Sequence, residues 1–296
     1  MHQIMTRQRT WRVTAVAAAI YVALGIVFGE AFFTGPFWDG SAIFASSSVH
    51  TLGLLAIIVC GWMQVRRVPE QGVRMRAPLD TAARRGSHVF DDPMSWKLLQ
   101  NSPSYALLWL PLRLFVGLAW LASGESKLRG TGWMDGGSAL QGFWQNAVAV
   151  PESGRPAITF GWYRSFLQFL LDHESYTWFA KAIAVGEFMV GLGLVLGAFT
   201  GIAAFFGATL NFNFQLAGSA STNPVLFALA VAMILGWKVA GFWGLDRMLM
   251  RHVGTPWTTP AAGVMPTPST PPRIAAPAPY GHHPAMSSPI SVRYRP

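Results

Sequence analysis

Charge is scarce in this sequence: 12% of its 296 residues are Asp, Glu, Lys or Arg, while 52% are hydrophobic. An ordinary soluble domain carries roughly 25% charged residues. The deficit excludes a typical soluble fold and points to an integral membrane protein. Cysteine is scarcer still. Cys60 is the sole one, so within one chain no disulfide, cysteine-based zinc site or iron–sulfur cluster can form. Histidine within the apolar runs is limited to His50, which argues against a bis-histidine haem inside one chain. With no metal or haem expected, any redox chemistry needs a bound organic molecule or a partner. Acidic residues are few beside basic ones, and the net charge is +9. No basic stripe with interleaved aromatics accompanies that excess, so it is read as a membrane-orientation signal and not as a nucleic-acid surface.

What the sequence has in quantity is apolar length. A bilayer-spanning helix needs about 20 mostly apolar residues. Six segments meet or approach that, at approximately 13–32, 43–63, 105–122, 178–197, 202–218 and 224–243. The expected fold is all-α and integral to the membrane, with six transmembrane helices. The first segment follows Arg7, Arg9 and Arg12 and so resembles a signal peptide. Its apolar core exceeds the usual length of about 7–15 residues and no A-x-A site follows, so an uncleaved helix is expected.

Four regions follow: an N-terminal two-helix hairpin over 1–64, a basic loop over 65–104, a four-helix core over 105–250, and a proline-rich tail over 251–296. The basic loop carries Arg66, Arg67, Arg74, Arg76, Arg84, Arg85 and Lys97, and Arg247 and Arg251 fall on the same side. That asymmetry predicts cytoplasmic N- and C-termini. The loop is either a topology signal beside anionic lipid or a docking site. The tail reads as disordered or extended, and its His282–His283 pair is a weak metal motif.

Inside the core, the outer segment 123–176 is too long for a plain connection and rich in Trp, Phe and Tyr, including Trp133, Trp144, Tyr163 and Phe166. One or two short helices on the outer membrane face are expected, as an interfacial belt or as a lid over a site below. Glu125 and Lys127 open this segment as solvating charges or as the rim of a site. Glu30 and His50, near the outer ends of the first two helices, read as interfacial or partner contacts, and Lys238 as snorkelling to the inner surface.

One carboxylate interrupts the apolar run AVGEFMVGLG: Glu187. An ionised group at the bilayer centre costs at least about 2.5–3.5 kcal/mol on insertion scales, so it needs a partner facing the bundle interior. Depth counted at about 1.5 Å per residue puts Glu187 roughly 15 Å from one end of its helix and Arg113 roughly 12–13 Å from the end of its own, at similar depth. Asn211 joins the same layer by the same count. Asn213, two residues on, points elsewhere. Such a set is either a structural ion pair or a ligand or proton pathway. Gly186, Gly193 and Gly197 are expected to provide close helix contact, with Gly193-x-x-x-Gly197 as the small-residue motif.

From about Leu112 to Leu249 the chain resembles the DoxX/DoxD family of bacterial and archaeal membrane proteins. The resemblance is carried by LRLFVGLAWLASGESKL, AVGEFMVGLGLVLGAFTGIAA, NFNFQLAG and the closing GLDRML. It implies a DoxX-like four-helix bundle in a bacterial or archaeal cell membrane, to which this chain adds two N-terminal helices. It also implies a quinone-linked role, the DoxD type being a subunit of thiosulfate:quinone oxidoreductase. Quinone is then the expected cofactor, with Glu187 and Arg113 the candidate catalytic residues and Asn211 and Asn213 the candidate quinone-binding ones. Besides the lipid bilayer, the expected partners are redox proteins, docked through the basic loop, the outer aromatic segment or the tail. A non-catalytic anchor or assembly subunit is the alternative, and a small-solute transporter a weaker one for which no inverted repeat is evident.

Overall fold

The computed structural model describes residues 3–29, 36, 42–75 and 92–253, and those lie in one compact unit, 1–257. Glu30, the middle of the basic loop, His282, His283 and nearly all of the tail fall outside the described residues.

The described chain is mostly helical. In order come α1 (Arg7–Phe28), α2 (Ser47–Arg67), α3 (Met94–Asn101), α4 (Leu110–Arg129), α5 (Thr131–Met134), α6 (Ser138–Val148), α7 (Gly161–Asp172), α8 (Tyr176–Leu196), α9 (Thr200–Leu216), α10 (Asn223–Leu235), α11 (Trp237–Ala240) and α12 (Asp246–Val253). Four helical stretches are long and apolar enough to cross a membrane: Arg7–Phe28, Ser47–Arg67, Pro103–Arg129 and Tyr176–Leu196. α9 and α10 fall where two further helices are expected, yet have 17 and 13 residues. At about 1.5 Å per residue, α10 covers only about 20 Å of a hydrocarbon core of about 30 Å. Gly236, tight against Trp109, ends it, and α11 continues after the break.

α1 begins six residues before its apolar segment because the Thr6 side chain accepts from the Arg9 amide and starts the helix there. Arg7, Arg9 and Arg12 are therefore helical residues and not a preceding tail. At its far end α2 keeps Arg66 and Arg67 in its last turn, where cations suit the helix dipole. A two-stranded antiparallel ribbon, β1 (Gln3–Met5) and β2 (Val73–Met75), joins the chain start to the segment after α2, pairing Gln3 with Met75 and Met5 with Val73.

α4, α8, α9 and α10 form the core, and α1 and α2 pack beside α4. The longest contact is α4 against α8, antiparallel and close. A Cβ on Gly191 would lie 2.6 Å from the Leu121 amide nitrogen, and one on Gly124 would lie 2.6 Å from that of Phe188. Those two glycines make the close contact expected of other ones. Gly186 has open space around it, Gly193 faces Ala203 of α9, and Gly197 is left-handed (φ 63°) and ends α8.

Large apolar side chains cover the outside of the bundle, among them Ile26, Leu52, Trp62, Met189, Phe205 and Phe206, all at least two-fifths exposed. So continuous an apolar exterior needs lipid around it. With its four long apolar helices, the chain has the makeup of a multi-pass membrane protein.

Candidate functional site

The segment between α4 and α8 forms α5, α6 and α7, in place of the one or two helices expected. α6 and α7 bury Leu140, Trp144, Tyr163, Leu167 and Leu170 against Phe179, Ile183 and Ala217 of the helix pair below. α7 is apolar on its other side too, exposing Trp162, Phe166 and Phe169. Between these helices and α8 and α9 lies a cavity of about 260 Å³. Its walls are aliphatic and aromatic, with Phe143, Trp144, Phe166, Phe179 and Phe214 around it, and its polar groups include Tyr163, Asn213 and Thr209.

The Tyr163 hydroxyl donates to Asn213, whose carbonyl oxygen is 3.1 Å away and whose Oδ1 is 3.2 Å away. Asn213 in turn donates from Nδ2 to the Thr209 carbonyl at 2.8 Å. Burial of the phenol raises its pKa above the ordinary value, keeping the hydroxyl protonated as a donor. Asn213 thus points away from the Asn211 layer, as expected, and into this cavity. Sequence reasoning missed Tyr163 as a partner because it stands among aromatics read as a single belt.

Glu187 is fully buried at mid-α8. Its partner is Lys127: Nζ lies 2.7 Å from Oε2 and also donates to the Ser123 hydroxyl at 2.7 Å. Lys127 rests 5.0 Å from the Trp133 ring and reaches the surface near α5, its side chain 16% exposed. Held in this ion pair, it is not a solvating charge. Its neighbour Glu125 is also buried, and accepts from the amides of Ile43 and Phe44 at 3.1 and 3.0 Å while pairing with Arg129 at 2.8 Å. Glu125 therefore fastens the approach to α2 onto the core.

The grouping of Arg113 with Glu187 is corrected. Arg113 sits in the first turn of α4, buried, beside Gly197 at the far end of α8. Its guanidinium donates to the carbonyls of Ala240 (3.1 Å) and Trp243 (2.6 Å). Glu187 is level with Gly124, eleven residues further along α4, or about 16 Å. Depth counting failed because it treated the antiparallel helices as flush. Arg113 shares its end of the bundle with Asp246, whose carboxylate accepts from the amides of Phe199 and Thr200 at the start of α9. The two residues hold the chain between α11 and α12 against the α8–α9 corner.

Asn211 does share the Glu187 layer. α8 and α9 run antiparallel, and a Cβ on Gly207 of α9 would touch Val190 of α8 at 3.1 Å. Asn211 lies one turn beyond Gly207 and Glu187 one turn beyond Val190, toward the same face. Asn211 is fully buried and neither amide atom has a hydrogen-bond partner among the described residues. Elsewhere, His50 is buried and lines a second, apolar cavity of about 200 Å³ between α1, α2, α4 and α10, and Lys238 donates to Asn101 at 3.3 Å. The chain matches no protein-family model, no curated protein and no solved structure.

Proposed function

We propose that this chain is a six-span, quinone-binding subunit of a membrane oxidoreductase, of the DoxX/DoxD type its sequence resembles, with both termini cytoplasmic. The observation that carries the reading is the cavity under α6 and α7: apolar, faced with aromatic rings, and polar at Tyr163 and Asn213. At about 260 Å³ it falls just below the range of about 300–1,000 Å³ typical of ligand pockets, which suits one substituted ring with its tail in the lipid. The aromatic walls offer stacking faces.

Quinone chemistry consists of the uptake of two electrons and two protons to give a quinol. The electrons would come from a partner redox protein or directly from a small reductant. The residues of this chain bind and orient the ring and manage protons. Tyr163, whose hydroxyl is shared between two acceptors on Asn213, and the second N–H of the Asn213 amide are the groups that would hold a carbonyl oxygen. Glu187 and Lys127 hold exchangeable protons nearby: Glu187 is one turn from Ile183, a wall of the cavity, and Lys127 reaches the α5 side. Arg113 has a positioning role here, through the Ala240 and Trp243 carbonyls, and no part in proton transfer.

Binding of a short-tailed quinone to the protein in nanodiscs, followed by quenching of tryptophan fluorescence, tests the reading. Saturable binding weakened about tenfold in Tyr163→Phe/Asn213→Leu is expected, the size of a lost hydrogen bond of about 1.4 kcal/mol. Binding no greater than in empty nanodiscs sinks the proposal. A stable complex with a partner protein, without quinone, would instead make the chain an anchor subunit.

A further inference from the structure

Four buried polar atoms lie where α4, α8 and α9 converge: Trp120 Nε1, Glu187 Oε1, and Oδ1 and Nδ2 of Asn211. None has a hydrogen-bond partner among the described residues, and the three side chains are 3%, 0% and 0% exposed. The helix packing places them within about one turn of one another. A Cβ on Gly207 would lie 3.1 Å from Trp120 Nε1 and 3.1 Å from Val190 Cγ1, which fixes the indole nitrogen at the α8–α9 seam. Asn211 and Glu187 are each one turn further toward the α5–α7 face.

Native proteins do not leave such groups bare, because each forfeits its hydrogen bonds to water on burial. The inventory is two donor atoms carrying three N–H bonds, one on the indole and two on the amide, and two acceptors, the carboxylate and amide oxygens. A water molecule complements that set, accepting twice and donating twice, and sites with several convergent polar groups are where buried water is retained. The two Asn211 amide atoms diverge, so one water cannot bridge both with good geometry, and a small cluster is required.

We infer that the α4–α8–α9 junction is an internal water site built by Trp120, Glu187 and Asn211, and that Lys127 connects it to the α5–α7 face. Glu187 is the joint of this path. One oxygen is held by Lys127 at 2.7 Å, with Ser123 beside the carboxylate, and the other faces the water. The Lys127 ammonium passes a proton to the carboxylate and takes another from the surface, and Glu187 returns to the carboxylate once its proton leaves through the water to the reduced quinone, the acceptor in the function proposed above. The proton-carrying role rests on the function proposed above; the water site itself does not.

The protein in nanodiscs, without quinone, is examined by infrared spectroscopy in H2 16O and H2 18O. An isotope-sensitive O–H stretch from internal water that shifts or disappears in Glu187→Gln and Asn211→Leu is expected. Thermal unfolding gives a second readout of opposite sign for the two cases. If the four atoms are hydrated, Asn211→Leu removes water bonds and lowers Tm; if they are bare, the same change removes an unsatisfied amide of equal size and raises it. An unshifted infrared spectrum or a raised Tm overturns the proposal. Neither result depends on the aromatic cavity, so failure here and failure of quinone binding are separate outcomes.

Discussion

Glu187 and Lys127 are joined by geometry that ties a buried charge to a partly exposed one. Removing the cation strands the carboxylate among apolar side chains, the costly way to break a buried pair. Lys127→Met is expected to lower unfolding stability by about 3–5 kcal/mol, and Lys127→Met/Glu187→Leu to recover most of that, since two apolar side chains need no partner. Denaturant titration in mild detergent measures both, and equal losses in the single and double variants would show that the pair is not coupled. The need for a partner to Glu187 was legible in AVGEFMVGLG, because a carboxylate in an apolar run admits few other readings. Its identity was not. Lys127 stands two residues from the end of α4, and only the length and pliancy of a lysine chain bring its ammonium to mid-α8. Trp120 gave no signal at all, an indole being at home anywhere in such a helix.

At the scale of elements, both ends of α8 and α9 and the start of α10 were legible to within two residues, while α4 runs on past its apolar segment to Arg129 because Lys127 and Arg129 find carboxylate partners there. The exceptions have local causes: Thr6 starts α1 early, Pro111 sits in the first turn of α4 after a 3-10 stretch, and Gly236 halts α10. Register between helices was not legible, since glycines permit a close contact without saying which residues meet. The corner between α8 and α9 shows how much rests on one residue outside both. Phe199 is left-handed (φ 49°) there, and its amide and that of Thr200 are bound by Asp246. Asp246→Ala removes an acceptor from the largely buried start of α9 and is expected to cost about 1–2 kcal/mol of stability, with Asp246→Asn losing less. Hydrogen exchange at the first turn of α9 should rise selectively; unchanged protection there would show that the corner holds without its cap.

For the whole molecule, the arginines and lysines predict which way it faces. Cys60 is the only thiol to remove, so a Cys60→Ser background gives a clean labelling experiment. In intact cells, a cysteine at Gly154, between α6 and α7, should react with an impermeant maleimide, and one at Gln8 only after permeabilisation. The reverse pattern would invert the orientation proposed here and with it the side from which Lys127 takes up protons.

The ribbon between β1 and β2 carries a consequence for biosynthesis. Residues 3–5 leave the ribosome before α1 and α2 but have no strand to pair with until residues 73–75 follow, by which time both helices have been made. The start of the chain must therefore wait through the insertion of a complete helical hairpin. Its closure records that the hairpin's two ends have returned to the same side of the membrane.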